Sequence, residues 1–174
     1  IMLHGTQQDN MKYVIDLIDK LDSTKNLIIA PGCDMPYDVP VENGIGVSQA
    51  VLEPEKVREM LKNYVASSVD IDVELPDYEH LTKPLVEVFT MDSLTCAACT
   101  YMLGAATVAK EHFGDAIDMV EYKSTVKENI ARTVKMGVKN LPSIYINGKL
   151  KFSSLIPSKE ELQNAIEEAM AQIK

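Results

Sequence analysis

The sequence predicts an α/β protein on three observations. Residues 83–174 read in the order β-α-β-α-β-β-α. Short apolar runs of strand length alternate there with stretches whose apolar residues recur at helical spacing. Capping and turn signals stand at the joints between them. The 174 residues suffice for one ordinary domain or two small ones, and 46% hydrophobic with 25% charged residues is the balance of a chain that can build a core.

In chain order, Thr6 is placed to N-cap a first helix, with Asp9 at the capping-box position. Met11, Val14, Ile15 and Ile18 then recur at helical spacing through about Leu21. "NLIIA" (26–30) predicts a short strand buried on both faces. "PGCDMPYDVPVENGIG" reads as a Pro/Gly-rich loop. "EPEKVREMLKNYV" (53–65) reads as a helix with Pro54 in its first turn. One strand between helices cannot satisfy its own backbone, so this front segment needs neighbouring strands from elsewhere. Residues 67–82 are acidic and read as a linker or surface wrap, with one short strand at "VDIDVEL" as the alternative.

The rear segment opens with a strand at "LVEVFTM" (85–91), followed by a helix from about Cys96 to His112. "AIDMVEYK" (116–123) is a second strand. Ser124 or Thr125, with Glu128 at the box position, starts a helix that Gly137 ends. "PSIYI" (142–146) and "KLKFS" (149–153) are strands joined at Asn147-Gly148, a type I′ hairpin signal. Ser158 and Glu161 cap the last helix, which carries Leu162, Ile166 and Met170 on one face.

Charge and composition exclude several functions. A net charge of −9 provides no basic excess for nucleic acid. No apolar run approaches the ~20 residues of a membrane span. "IMLHGTQQDN" lacks the basic and apolar regions of a signal peptide, and three cysteines are too few for a secreted disulfide scaffold. The expected compartment is the reducing cytoplasm. The apolar opening Ile1-Met2-Leu3 resembles the interior of a longer protein.

The chemistry centres on "TCAACT" (95–100). Cys96 falls where a strand has ended and a helix begins, and the unpaired N–H groups and partial positive charge of a first helical turn favour thiolate over thiol. Cys99 lies one turn on along the same face, the spacing that thiol–disulfide exchange requires. Two alternatives stay open: inert buried cysteines, or half a zinc site. Tetrahedral zinc needs four ligands, and Cys33, His4, His80 and His112 are not at ligand spacing from the pair. Pro142 stands just before a hairpin strand, where it forfeits a ladder hydrogen bond. The element order favours a cis Leu141-Pro142 bond that presents the Leu141 backbone to a substrate beside Cys96. Cys33, in the loop after "NLIIA", reads on spacing alone as a small buried hydrophobe, with a functional residue in the loop at a strand's C-terminal end as the alternative.

Two resemblances add to this. "VEVFT" followed by "CAAC", "GVKNLPSIYING" and "PSKEEL" make residues 83–174 resemble the thioredoxin superfamily in its short, glutaredoxin-like form. The resemblance implies Cys96 as nucleophile, Cys99 as resolving cysteine, Pro142 as the cis proline, and Thr95, Leu141 and Pro142 as substrate-binding. It also implies a thiol–disulfide oxidoreductase acting on protein or small-molecule thiols and disulfides. Thr95 stands where an aromatic is usual, the Ala97-Ala98 dipeptide lacks a proline, the loop before Cys96 is long, and Val88 falls where thioredoxin proper has a buried carboxylate. "APGCD" with the following "P-x-D-x-P-x-E-N" resembles the cobalamin-dependent methyltransferase branch of the uroporphyrinogen decarboxylase-like barrels. That implies that residues 1–66 are a helix-strand-loop-helix fragment of a TIM-type barrel, with Cys33 a zinc ligand only in an intact parent protein. The resemblances imply no cofactor in this chain, a corrinoid protein as one partner, and a homodimer or a non-catalytic docking domain as further expectations.

Overall fold

A computed structural model describes residues 1–31, 35–66 and 71–173. The chain divides into two compact units, Ile1–Val69 and Asp70–Lys174.

The first unit holds three helices: α1 (Gln7–Ile18), α2 (Val41–Leu52) and α3 (Pro54–Met60). Thr6 caps α1 as expected, and the reciprocal Thr6–Asp9 capping box is formed. Met11, Val14 and Ile15 of α1 bury against Ala50 of α2 and Val57 of α3. Pro54 stands in the first turn of α3, which ends at Met60, short of the expected extent.

Two expectations fail here. Residues 26–30 form no strand, and Ile28 is 86% exposed. Among the described residues of this unit there is no other strand to receive their hydrogen bonds, so the apolar run joins no sheet. Among its described residues the expected barrel fragment is three helices without a strand. The loop read through "VENGIG" is instead the start of α2, entered from Pro40. Its glycines, Gly44 and Gly46, are helical and do not punctuate a loop. A Cβ on Gly46 would lie 2.7 Å from Gln7 Cγ and 3.1 Å from Gln7 O, so this glycine lets α2 approach α1 closely. Asn43, buried on the same helix, donates to Met2 O (2.8 Å) and Gly5 O (2.9 Å).

The second unit is a four-stranded mixed sheet, β1 (Leu85–Thr90), β2 (Asp118–Lys123), β3 (Ser143–Ile146) and β4 (Lys149–Ser153), in the order β2-β1-β3-β4. β1 runs parallel to β2, and β3 is antiparallel to both β1 and β4. Three helices accompany it: α4 (Ala97–Phe113), α5 (Lys127–Lys135) and α6 (Lys159–Gln172). Val86 and Val88 of β1 point to one face, where Met102, Ala106 and Ala109 of α4 and Leu162 and Ile166 of α6 complete the main core. Alternation sends Glu87 and Phe89 to the other face. There Phe89 packs on Tyr122 and Tyr145, with ring centroids 5.1 and 5.3 Å away.

Most joints follow the sequence signals. Asn147 and Gly148 both have positive φ, as a type I′ turn demands. Gly137 ends α5 at φ +67°. The Ser158–Glu161 capping box opens α6. The start of α5 differs: Val126 is its N-cap, without a side-chain cap. Ser124, expected as a cap, turns its hydroxyl and its N–H to Thr90 O, both at 3.0 Å. It ties the end of β2 to the end of β1 instead.

Residues 71–84 contain no strand and lie along this second unit. Val73 is buried, Lys135 binds Asp72 (2.8 Å) and Val73 O (2.7 Å), and the Tyr78 hydroxyl donates to Glu87 Oε1 (3.0 Å).

Candidate functional site

The end of β1 builds the site. After Thr90 the chain makes a turn through Met91 and Asp92 and enters α4 at Cys96. Cys96 is the N-cap residue of α4, and its sulfur does the capping: Cys99 N–H donates to Cys96 Sγ at 3.4 Å. One helical turn brings the second sulfur back over the first, and Cys99 Sγ donates to Cys96 Sγ at 2.6 Å. Both cysteines are free thiols.

The two sulfurs are not equivalent. Cys99 is fully buried, whereas Cys96 keeps 8% exposure. Cys96 Sγ receives two donors, the N–H and the S–H of Cys99. Burial, reinforced by the bond to Cys96, raises the Cys99 thiol to about 11. The Met91 N–H (3.4 Å) and the Asp92 N–H act on its sulfur in the opposite sense. Cys99 is therefore the proton-holding member, and Cys96, buried less deeply, the accepting one.

The turn is pinned from several sides. Asp92 O accepts from Cys96 N (2.9 Å) and Thr95 N (3.2 Å). The Asp92 carboxylate accepts from Leu94 N (3.0 Å) and meets Lys123 at 3.4 Å. The buried Thr90 hydroxyl donates to Glu121 Oε1 (2.7 Å). Sequence reasoning missed this support, because Thr90, Asp92, Glu121 and Lys123 form no motif and meet only once β1 and β2 lie side by side.

Thr95 is exposed directly before Cys96. Leu141-Pro142 is a cis peptide bond, as expected. Phe89 faces Ser143 across the β1–β3 ladder, so Pro142 lies at the end of β1 from which the turn to Cys96 departs. Cys33 lies outside the described residues.

Val88, which brings no carboxylate to this strand, is buried in the core. A buried carboxylate exists one residue earlier. Glu87 is wholly enclosed on the opposite face, beside Tyr78, Tyr122 and Arg132. The signal was a glutamate inside an otherwise apolar strand.

A family model described as "Thioredoxin domain" matches residues 85–167. A "Probable Thioredoxin" of Methanothermobacter thermautotrophicus is 36% identical over 85 residues, which is 49% of this chain and 94% of that protein. The chain belongs to the thioredoxin family. A second "Probable Thioredoxin", from Methanothermobacter marburgensis, is 36% identical over 81 residues, covering 47% of this chain and 89% of the relative. A solved structure described as "Structure of a malarial protein" matches 51% of this chain and 98% of its own at 21% identity, with a TM-score of 0.42. The thioredoxin match begins at the first residue of β1 and includes both site cysteines. No described helix of this thioredoxin-family chain is long and apolar enough to cross a membrane.

Proposed function

We propose that the second unit is a thiol–disulfide oxidoreductase in which Cys96 attacks and Cys99 resolves. The observation that carries this reading is the sulfur pair: 2.6 Å apart, with Cys96, the less deeply buried residue, as acceptor and Cys99 as donor. The Cys96 thiolate attacks one sulfur of a substrate disulfide, forming a mixed disulfide and expelling the other sulfur as a thiolate. Cys99 then loses its proton and attacks Cys96 Sγ. The Cys96–Cys99 disulfide forms and the second substrate sulfur leaves as a thiolate. Two electrons pass from the chain to the substrate. Thr95, directly before Cys96, and the residues of the cis bond, Leu141 and Pro142, are assigned here to substrate binding. The substrates are protein or small-molecule thiols and disulfides, the class on which thioredoxin-like proteins act.

The wider assignment rests on sequence. The resemblance of residues 3–51 to cobalamin-dependent methyltransferases supports a module that keeps a thiol or metal–thiolate centre of a corrinoid-linked system reduced.

A Cys99→Ser variant tests the roles. It is expected to accumulate a mixed disulfide with a disulfide substrate, detected by mass as one substrate thiol joined to Cys96. Cys96→Ser is expected to accumulate none. Equal trapping by the two variants, or trapping by neither, removes the assignment.

A further inference from the structure

Residues 93–109 form a run of 17 without a single charged side chain or histidine, in a chain that is 25% charged. Most of it is α4. A helix with one face in solvent normally carries its charges there, and α6 does so with Lys159, Glu160, Glu167 and Glu168 exposed. The exposed face of α4 instead reads Ala97, Tyr101, Gly104 and Val108 at spacings of four, three and four, a single stripe. Leu94, 84% exposed, stands at its head; Tyr101 is 68% and Val108 45% exposed.

The hydroxyls bordering the stripe do not make it polar. Thr100 Oγ1 donates to Ser93 O (2.5 Å) and Thr107 Oγ1 to Leu103 O (2.9 Å), so both are turned onto the chain's own backbone. Gly104 has no internal reason to be glycine. A Cβ there meets nothing within 4 Å, and glycine weakens a helix. What it leaves is a notch between Tyr101 and Val108.

We propose that this face of α4 is the surface on which a substrate protein lies, and that the partner meets it with an uncharged, apolar face. The proposal rests on the redox reading of Cys96 and Cys99. That reading requires a partner's disulfide at Cys96, and the stripe runs on without a break from that residue. From Ala97 to Val108 it extends about 16 Å, at 1.5 Å per residue. That exceeds a small disulfide and suits one side of a protein. A charged partner surface would lose its water here and find no counter-charge.

Charge placed far down the stripe tests this without touching the sulfurs. Gly104→Glu and Val108→Glu are compared with wild type on insulin, a protein disulfide, and on 2-hydroxyethyl disulfide, a small neutral one. Circular dichroism confirms that the variants fold. The expected result is a loss of about tenfold in kcat/KM on insulin, carried by KM, with the small disulfide within about twofold of wild type. Unchanged insulin reduction by both variants overturns the proposal. So does an equal loss on both substrates in folded variants, since the charge would then act on the sulfurs themselves. A wild-type dimer that these variants dissociate also overturns it, in favour of a second copy as occupant. Wild type active on the small disulfide alone overturns the surface but leaves the redox reading standing. Wild type inert on both removes the two together.

Discussion

Glu87 shows how much one side chain can decide. It sits in the central strand β1 with no exposed surface; its Oε1 accepts from Tyr78, while Oε2 has no hydrogen-bond partner among the described residues. Burial pushes its carboxyl above the ordinary range, while Tyr78, Arg132 and Tyr122 pull the other way. The folded chain therefore binds this proton more tightly than the unfolded chain. The stabilising contribution is complete below the ordinary carboxyl range and is lost as pH rises through the folded value. Glu87→Gln is predicted to flatten that fall in stability, read from urea titrations between about pH 4 and 8. Tyr78→Phe removes the donor that favours the charged form and is predicted to cost about 1–3 kcal/mol near neutrality. Unaltered pH profiles in both variants would show that Glu87 does not carry the effect. The same bond holds residues 71–84 to the sheet, and the Tyr78 ring covers Gly148, where a Cβ would meet it at 2.8 Å.

Most helices and strands were legible where their ends carry local chemistry. The Thr6–Asp9 and Ser158–Glu161 boxes, the Asn147-Gly148 turn and the Gly137 stop all stand where the sequence places them. Signals that depend on a neighbour were not legible. The run 26–30 has strand composition, but composition cannot supply the partner strand. Gly44 and Gly46 look like loop residues until α1 is laid against α2, when Gly46 becomes the point of contact. Ser124 has the chemistry of a cap and spends it on Thr90 O, which only the β1–β2 pairing brings near. Gly46→Val tests the contact. A branched side chain against Gln7 is predicted to cost about 1–3 kcal/mol through overpacking. It should speed amide hydrogen exchange in α1 and α2; unchanged exchange in both helices would mean that the approach is not tight.

The molecule as a whole is two compact units of different character. The first is helical among its described residues, while the second carries the sheet, the thioredoxin-family match and the paired sulfurs. Much of the site was legible because its key residues are close in sequence: two cysteines one helical turn apart need only the helix to meet. The supports at Thr90, Asp92, Glu121 and Lys123 were not, because they converge from two strands. The proton asymmetry within the pair also needed the burial of Cys99, which no spacing reveals. All of the proposed chemistry requires that the two sulfurs bond reversibly in the folded chain. A redox titration of the native protein against a dithiothreitol buffer, followed by the mass of the alkylated chain, tests this directly. The account predicts one two-electron transition in which Cys96 and Cys99 lose and regain alkylation together, and which is absent in Cys96→Ser. Two thiols that stay alkylatable across the whole titration would contradict it.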